Sequence, residues 1–236
     1  MQISVVVPAY NEAHRIRRTA ETISAFLARE FDEYEVIVVD DGSRGDTQGA
    51  LTGLSRVRCI RNETNRGKGY SVRRGMLEAQ FDPVLFTDAD LSTPIEDALA
   101  LHKAIQAGAD VAIGARLPDP SKLVRRPPLR RLMAFGFRMC VKLIALRGFR
   151  DTQCGFKMFR RDVARTLFGV GRLDRWGFDV EVLFLAKRRG LKIAQVPVSY
   201  SESNESRLSF LTPLTMLRDL LSIRRNALLG RYKGTE

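Results

Sequence analysis

Cysteine and long apolar runs are scarce in this sequence of 236 residues. The three cysteines, Cys59, Cys140 and Cys154, show no C-x-x-C spacing, which argues against a disulfide framework or a zinc site and favours a reducing compartment. No uncharged apolar run reaches the roughly 20 residues that an ordinary transmembrane helix needs. The chain begins directly with the strand-like run ISVVVP, so we expect no signal peptide.

Two common nucleotide-binding signatures are also missing. Neither GxxxxGK[ST] nor GxGxxG occurs, which argues against a P-loop protein and a dinucleotide-binding protein. The net charge of +12 indicates an anionic partner: nucleic acid, a phosphorylated ligand or an acidic membrane face. Because the sequence has no RNP, zinc-finger or helix-turn-helix signature, and only one tryptophan, we expect no nucleic-acid partner.

Short apolar runs alternate with amphipathic segments along most of the chain. Their order predicts an α/β fold with a mainly parallel sheet flanked by helices on both faces, and ligands then bind beyond the carboxyl ends of the strands. The predicted strands are 3–7, 35–39, 57–61, 84–87, 111–114, 155–159 and 193–200. The predicted helices are 12–29, 46–55, 69–80, 95–107 and 179–189.

The stretch 120–150 contains basic residues but no acidic ones. Within it, 129–147 predicts an amphipathic helix that is apolar over most of its surface and carries a narrow basic stripe. Thr212-Pro213 opens a second amphipathic helix. We therefore predict a catalytic domain over 1–210, with the insertion at about 120–150, and a C-terminal helix over 211–236. The apolar helix faces suit a membrane surface, the domain itself or a second subunit in a homo-oligomer.

Two carboxylates end an apolar strand in the segment VLFTDADLSTP at 84–94. Asp88 and Asp90 are separated only by Ala89, and burial of both charges requires a cation. Carboxylate oxygens suit Mg²⁺ or Mn²⁺, and the oxygens of a bound phosphate complete the coordination shell. A pair of turn aspartates, with Asp90 capping a helix, is the structural alternative.

Polar groups at other predicted strand ends support a ligand site. DDGS at 40–43 offers carboxylates to a base or ribose, and NRGKG at 65–69 offers backbone amides and two cations to phosphate. Arg116 follows the next strand and is a candidate for phosphate binding. Each feature also has a structural explanation, as a turn, a helix entry or a surface arginine. Together they predict a nucleotide-diphosphate site with a metal.

Several motifs, in this order, resemble those of family 2 glycosyltransferases. They are VVVPAYNE (5–12), VIVVDDGS (36–43), NRGKGYSVRRGM (65–76), LFTDADLSTP (85–94), DTQCGFKMF (151–159) and RWGFDVEVLFLA (175–186). The resemblance covers residues 3 to about 210 and is greatest to the dolichyl-phosphate glucosyltransferase branch of the polyprenyl-phosphate glycosyltransferases. It implies a GT-A fold, a nucleotide-sugar donor, a divalent metal and inversion at the anomeric carbon.

The resemblance also implies roles for individual residues. The base and ribose would be held by Pro8, Ala9, Tyr10, Glu12 and Asp40, with Asp41 near the ribose or diphosphate and with Gly67, Lys68 and Ala89 in the same donor site. Asp88 and Asp90 would hold the metal, and Asp151 would shape the acceptor site. The acceptor phosphate would be bound by basic residues drawn from Arg116, Arg130, Arg131, Lys157 and Arg207.

Two departures from related motifs are informative. Mannosyl relatives resemble DADLQHP, whereas this chain has Ser92-Thr93 after the acidic pair, which favours glucose and leaves the metal's third protein contact open. A small-Ser-Lys element of the relatives corresponds to Glu205-Ser206-Arg207, and Arg207 keeps the charge with a different geometry.

The implied activity is transfer of a hexose, with glucose from UDP-glucose favoured, to a polyprenyl or dolichyl phosphate on the cytoplasmic face of a membrane. A phosphate acceptor is already anionic, so the site needs positioning and charge compensation rather than a strong base. GDP-mannose is an alternative donor. With a soluble hydroxyl acceptor, Asp179 or Glu181 would instead act as the base. An anionic membrane surface is the expected partner of the basic amphipathic helices.

Overall fold

This computed structural model describes residues 1–116, 146, 148–201 and 212–233 of the chain. The strands are β1 (Gln2–Ala9), β2 (Glu33–Asp40), β3 (Val57–Arg61), β4 (Val84–Phe86), β5 (Val111–Arg116), β6 (Lys157–Phe159) and β7 (Ile193–Val198). The α-helices are α1 (Ala13–Glu30), α2 (Thr47–Ala50), α3 (Lys68–Glu78), α4 (Ala98–Gln106), α5 (Arg161–Val170), α6 (Phe178–Arg188) and α7 (Thr212–Leu228). A 3₁₀ turn, Ile95–Asp97, precedes α4.

The strands form one sheet in the order β3-β2-β1-β4-β6-β5-β7. Neighbouring strands are parallel except around β6, which is antiparallel to β4 and β5. This arrangement confirms the predicted α/β fold with a mainly parallel sheet. Because β6 is reversed, its first residue, Lys157, pairs with Phe86 near the carboxyl end of β4. A residue from the start of one strand thus joins groups from the ends of the others.

Both faces of the sheet are covered, as the strand pattern predicts. Val5 and Val7 of β1 pack with α1 and α4, whereas Val6 between them packs on the opposite face with α3, α5 and α6. Successive side chains of a strand point to opposite faces, so a sheet buried on both sides needs continuous apolar runs. The β-branched sequence of β1 meets this requirement.

The structure corrects two local predictions. The helix expected over 46–55 is only the four residues Thr47–Ala50, and Gly53 beyond it has a positive φ of 85°, outside the helical region. Helix α5 was not predicted. Its buried side chains, Val163, Ala164, Leu167 and Phe168, follow helical spacing, but over ten residues that signal is short.

Helix α7 packs on the α/β domain, one of the alternatives left open by the sequence. Leu220, Ile223 and Ala227 are buried in the core cluster that contains α6. Leu217 and Leu221 are exposed. None of the helices in the described part of the chain is long and apolar enough to cross a membrane. Apart from the buried Leu146, the basic helix predicted over 129–147, including Arg130 and Arg131, lies outside the described residues, as does Arg207.

Candidate functional site

The polar motif residues meet along the carboxyl edge of the sheet. At the end of β2, Asp40 accepts hydrogen bonds from the main-chain N–H and the hydroxyl of Ser43 and faces Arg61 across 3.3 Å. Asn11, beyond β1, donates its main-chain N–H to the same hydroxyl at 2.8 Å. The loops after β1 and β2 are therefore tied together, with Tyr10 exposed at the rim. This rim is where Pro8, Ala9 and Glu12 also lie.

Asp41 anchors a neighbouring loop. One carboxylate oxygen accepts from the Asn62 amide at 2.8 Å and from the Arg66 N–H at 2.9 Å, and the other accepts from the Gly67 N–H at 2.8 Å. Asp41 is buried, and its two carboxylate oxygens together accept these three hydrogen bonds. The Arg66 and Gly67 N–H groups are thus directed at Asp41 in this structure, and phosphate binding by the amides and cations of NRGKG stays a prediction.

The glycines of NRGKG serve close packing rather than an open phosphate cradle. A Cβ on Gly67 would lie 2.5 Å from the carbonyl oxygen of Asp174, and one on Gly69 would lie 2.6 Å from that of Leu173. Tyr70 also donates its N–H to the Asp174 carbonyl at 3.0 Å. The start of α3 is thus pressed against the loop that precedes α6.

Lys68, between these glycines, contacts the first carboxylate of the D-x-D pair. Its Nζ lies 2.5 Å from Asp88 Oδ1 and 5.3 Å from the ring centroid of Trp176. Burial lowers the pKa of Lys68, but the Asp88 and Asp179 carboxylates outweigh burial and hold that pKa above its ordinary value. The other oxygen of Asp88 packs on Gly155, where an added Cβ would lie 2.1 Å from it. Lys68 therefore supplies a cation for Asp88 from within the chain.

Asp90 has a more open position than Asp88. It is exposed, and its Oδ1 accepts the Ser92 N–H at 3.0 Å. Within the described ranges, no three His, Cys, Asp or Glu side chains cluster as a metal site. Two carboxylates at one strand end still fit a hard divalent cation, provided that phosphate oxygens or water complete its shell. The donor chemistry fits the predicted metal, with Lys68 as a competitor for Asp88.

Lys157 does not have the predicted role in phosphate binding. Its side chain is 0% exposed, and its ammonium donates to the Asp179 carboxylate and, at 2.6 Å, to the Cys154 carbonyl. It also lies 5.3 Å from the ring centroid of Phe86. Burial raises the pKa of Asp179, and Lys157 opposes that shift. Because an enclosed ammonium cannot reach a ligand, the structure assigns Lys157 to holding α6 against β6.

Arg116 and Asp151 form a partly buried pair at the end of β5. The guanidinium binds the carboxylate through Nε and Nη2, the latter at 3.0 Å from Oδ1, and it stacks on Tyr200 at 5.0 Å. Burial lowers the pKa of Arg116 and raises that of Asp151, but the interaction between the two groups outweighs burial. The pKa of Arg116 is therefore raised above its ordinary value, and that of Asp151 is lowered. The predicted phosphate ligand and the predicted acceptor-site carboxylate are therefore brought together.

Glu181 is a structural carboxylate. Its Oε2 accepts the N–H groups of Arg172 and Leu173 at 3.0 and 2.9 Å, and its Oε1 accepts the Tyr232 hydroxyl at 2.7 Å. Burial raises its pKa, and these donors oppose the shift. A general-base role for Glu181, expected only with a soluble acceptor, stays a prediction, and it competes with these three hydrogen bonds within the core.

The chain after β7 returns to the turn that follows Asp90. Ser201 donates its N–H to the Ser92 carbonyl at 2.8 Å, and Ser199 donates to Asp97 at 2.7 Å. Thr93 is buried, with its hydroxyl 4.0 Å from the Cys154 sulfur. Ser92-Thr93 therefore joins three segments of the site.

Three residues of this edge had no role assigned from the sequence: Asn62, Trp176 and Tyr200. Asn62 directly follows β3, so the rule that parallel strand ends converge was sufficient to include it. Trp176 lies in the quoted motif RWGF, but its contact with Lys68 requires the fold. Tyr200 follows β7, which pairs with β5, so strand pairing alone brings it to Arg116.

Comparisons with known proteins agree on one family. The family model described as "Glycosyl transferase family 2" matches residues 4–168. A "Dolichyl-phosphate beta-glucosyltransferase" of Drosophila melanogaster is 38% identical over 252 residues, covering 99% of this chain and 77% of the relative. The Homo sapiens protein of that name is 35% identical over 251 residues, covering 98% and 78%.

Solved structures support the same fold. Glucosyl-3-phosphoglycerate synthase from Mycobacterium tuberculosis, in complex with Mn²⁺, UDP-glucose and phosphoglyceric acid, superposes with a TM-score of 0.67. The match covers 100% of this chain and 81% of that chain at 23% sequence identity. It confirms the GT-A architecture.

Proposed function

Because the chain belongs to glycosyl transferase family 2, we propose that it transfers glucose from UDP-glucose to a dolichyl or related polyprenyl phosphate. An oxygen of the acceptor phosphate attacks the anomeric carbon as the bond to the diphosphate breaks, and UDP leaves. The names of the relatives support glucose over mannose and a lipid phosphate acceptor. The Ser92-Thr93 variant of the acidic motif supports the same sugar.

The observation that carries this proposal concerns the acidic residues of the later motifs. Asp151 is paired with an arginine, Asp179 with a buried lysine, and Glu181 with a tyrosine and two main-chain N–H groups. A hydroxyl acceptor needs a base to remove its proton. A phosphate acceptor needs none, because it is already an anion near neutral pH. The bonding of these carboxylates therefore supports a phosphate acceptor.

The donor half of the reaction uses the rim that runs from the end of β2, past β1, to the end of β4. The cross-linked loops at Asn11 and Ser43 leave a polar edge for the base and ribose, with Asp40 held in position beneath them. The diphosphate extends toward Lys68 and the D-x-D pair. A divalent metal, Mg²⁺ or Mn²⁺, held by Asp88 and Asp90 would stabilise the negative charge that develops on the leaving diphosphate.

The acceptor half uses Arg116, which is one third exposed. Asp151 fixes two N–H groups of the guanidinium, and Tyr200 supports its face, so the arginine is held in one orientation. A fixed cation compensates the repulsion between two anionic reactants without a reorganisation cost during the reaction. Arg130, Arg131 and Arg207 stay predictions for the same phosphate.

A lipid phosphate acceptor supports a peripheral position on a membrane, and the cytoplasmic face stays part of the proposal. The exposed leucines of α7, at 217, 221 and 228, are accompanied by arginines at 218, 224 and 225. Such a face suits the boundary between acyl chains and anionic headgroups. The lipid acceptor then reaches the site from the surface on which the protein lies.

The test is a transfer assay with labelled UDP-glucose, Mg²⁺ or Mn²⁺, and dolichyl phosphate, followed by lipid extraction. We expect label in the lipid phase, little label from GDP-mannose, and none with the soluble acceptor 3-phosphoglycerate. Label in a soluble product, or no lipid product with any common nucleotide sugar, contradicts the proposal. The Asp90→Asn variant, which changes an exposed side chain, should lose transfer by about 100-fold if the metal contributes several kcal/mol.

A further inference from the structure

We propose that Lys68 is a displaceable counter-ion of Asp88, so that a divalent metal binds only by moving the Lys68 ammonium off that carboxylate. The inference rests on the metal role of Asp88 in the proposed function. It adds an internal competitor that sets the metal affinity of the site and couples metal binding to the position of a lysine.

Both carboxylate oxygens of Asp88 have close neighbours, although the side chain is 36% exposed. Oδ2 lies so close to Gly155 that even a Cβ there would be 2.1 Å away. Oδ1 would lie 2.8 Å from the same Cβ, and it carries the Lys68 ammonium at 2.5 Å. A metal that approaches Asp88 therefore meets the oxygen that Lys68 occupies, and two cations on one oxygen repel each other strongly in a partly buried site.

The surroundings also give the displaced ammonium somewhere to remain. Lys68 lies over the Trp176 ring, with Nζ 5.3 Å from the ring centroid, and it is attracted by the buried Asp179. Asp179 already forms an ion pair with Lys157, so it attracts the Lys68 ammonium without being its direct hydrogen-bond partner. The oxygens of a donor diphosphate provide the new acceptors that Lys68 needs.

Charge balance gives the exchange its direction. Asp88, Asp90 and Asp179 contribute three negative charges, against the two positive charges of Lys68 and Lys157. A bound divalent cation changes the net charge of this group from negative to positive, and the diphosphate that follows makes it negative again. The lysine thus keeps Asp88 neutralised before the metal arrives, and once the metal has displaced it the ammonium is available to the diphosphate that follows.

The single tryptophan of the chain reports this movement directly. Because Lys68 lies on the face of Trp176, its departure changes the environment and emission of the indole. We expect Mg²⁺ alone, added to the full chain without nucleotide, to change Trp176 fluorescence along the binding curve measured by calorimetry. This experiment uses the unaltered protein, so it does not depend on the folding of a variant.

The second test compares metal affinities. Lys68→Met keeps most of the apolar stem and removes the competing charge, so we expect Mn²⁺, followed by its electron paramagnetic resonance signal, to bind about 10-fold more tightly. Arg66→Met is the matched control. Arg66 lies two residues away, is half exposed and stacks on Tyr70, so its removal changes the local field without freeing Asp88. We expect about twofold tightening there.

The outcomes separate the two proposals. Metal binding that leaves Trp176 emission unchanged, or equal tightening in Lys68→Met and Arg66→Met, overturns the inference alone. Failure of Mg²⁺ and Mn²⁺ to bind either the unaltered chain or Lys68→Met overturns the inference together with the metal part of the proposed function. Loss of the Mg²⁺-induced fluorescence change in Lys68→Met, with tighter Mn²⁺ binding, is the supporting result.

Discussion

Replacement of Gly69 by alanine tests how tightly the start of α3 is fixed. The added Cβ would lie 2.6 Å from the Leu173 carbonyl oxygen, 2.8 Å from that of Arg175 and 2.8 Å from the Phe178 Cβ. None of these is the far end of a flexible side chain, so the backbone must move. Overpacking of this kind costs about 1–3 kcal/mol, and the better helix propensity of alanine returns up to about 1 kcal/mol. We expect net destabilisation of about 1–2 kcal/mol.

The matched control is the same substitution at Gly169 in α5, where a Cβ would meet nothing within 4 Å. Gly169→Ala should leave stability unchanged or raise it by up to about 1 kcal/mol, because alanine is the better helix former. Urea unfolding followed by circular dichroism measures both variants. If Gly69→Ala is as stable as Gly169→Ala, then the glycine is not required by its contact with the loop before α6, and the packing argument fails.

Three further perturbations follow from the structure. Tyr232→Phe should lower stability by about 1–3 kcal/mol in thermal unfolding, because the buried Glu181 oxygen loses its hydrogen-bond donor. An unchanged melting temperature contradicts a stabilising role for this hydrogen bond. The lowered pKa of Asp151 contributes stability that is fully present above its unfolded pKa of about 4 and is lost as the pH falls through its folded pKa. Asp151→Asn should therefore make the free energy of unfolding depend less on pH in the acid range. A variant curve of unfolding free energy against pH that runs parallel to that of the unaltered protein refutes this. Leu221→Asp, at an exposed site, should weaken sedimentation with phosphatidylserine vesicles about 10-fold without changing the melting temperature, and unchanged sedimentation contradicts a membrane face on α7.

The α/β fold could be predicted because its signal is local and repeated. Each buried strand, such as Val36–Val39 within β2, needs an apolar run, and each covering helix needs an apolar stripe. The antiparallel direction of β6 was not predictable in this way. A three-residue strand is too short to show a direction, and its partners are distant in sequence, since Lys157 lies 71 positions after Phe86 and 44 positions after Ile113.

The candidate site could be predicted in composition but not in its bonding. The rule that ligands bind beyond parallel strand ends brought Asp40, Asp88 and Arg116 into one region. The sequence could not show that Lys157 is buried beside Asp179, or that Asp41 accepts a hydrogen bond from the main-chain N–H of Arg66. Both contacts join segments that are distant in sequence. A charged residue in a motif looks the same whether it faces a ligand or a buried partner.

The sequence by itself determined the sheet, its two covered faces, and the carboxylates and cations gathered at one edge. These features follow from hydrophobic period and from residue types at strand ends, which act over a few residues. Only the tertiary structure decided which charged groups form ion pairs within the chain: Lys157 with Asp179, Arg116 with Asp151, and Asp88 with Lys68. The physical reason is that a buried charge must find a partner of opposite sign, and which partner lies within reach depends on the packing of the whole chain.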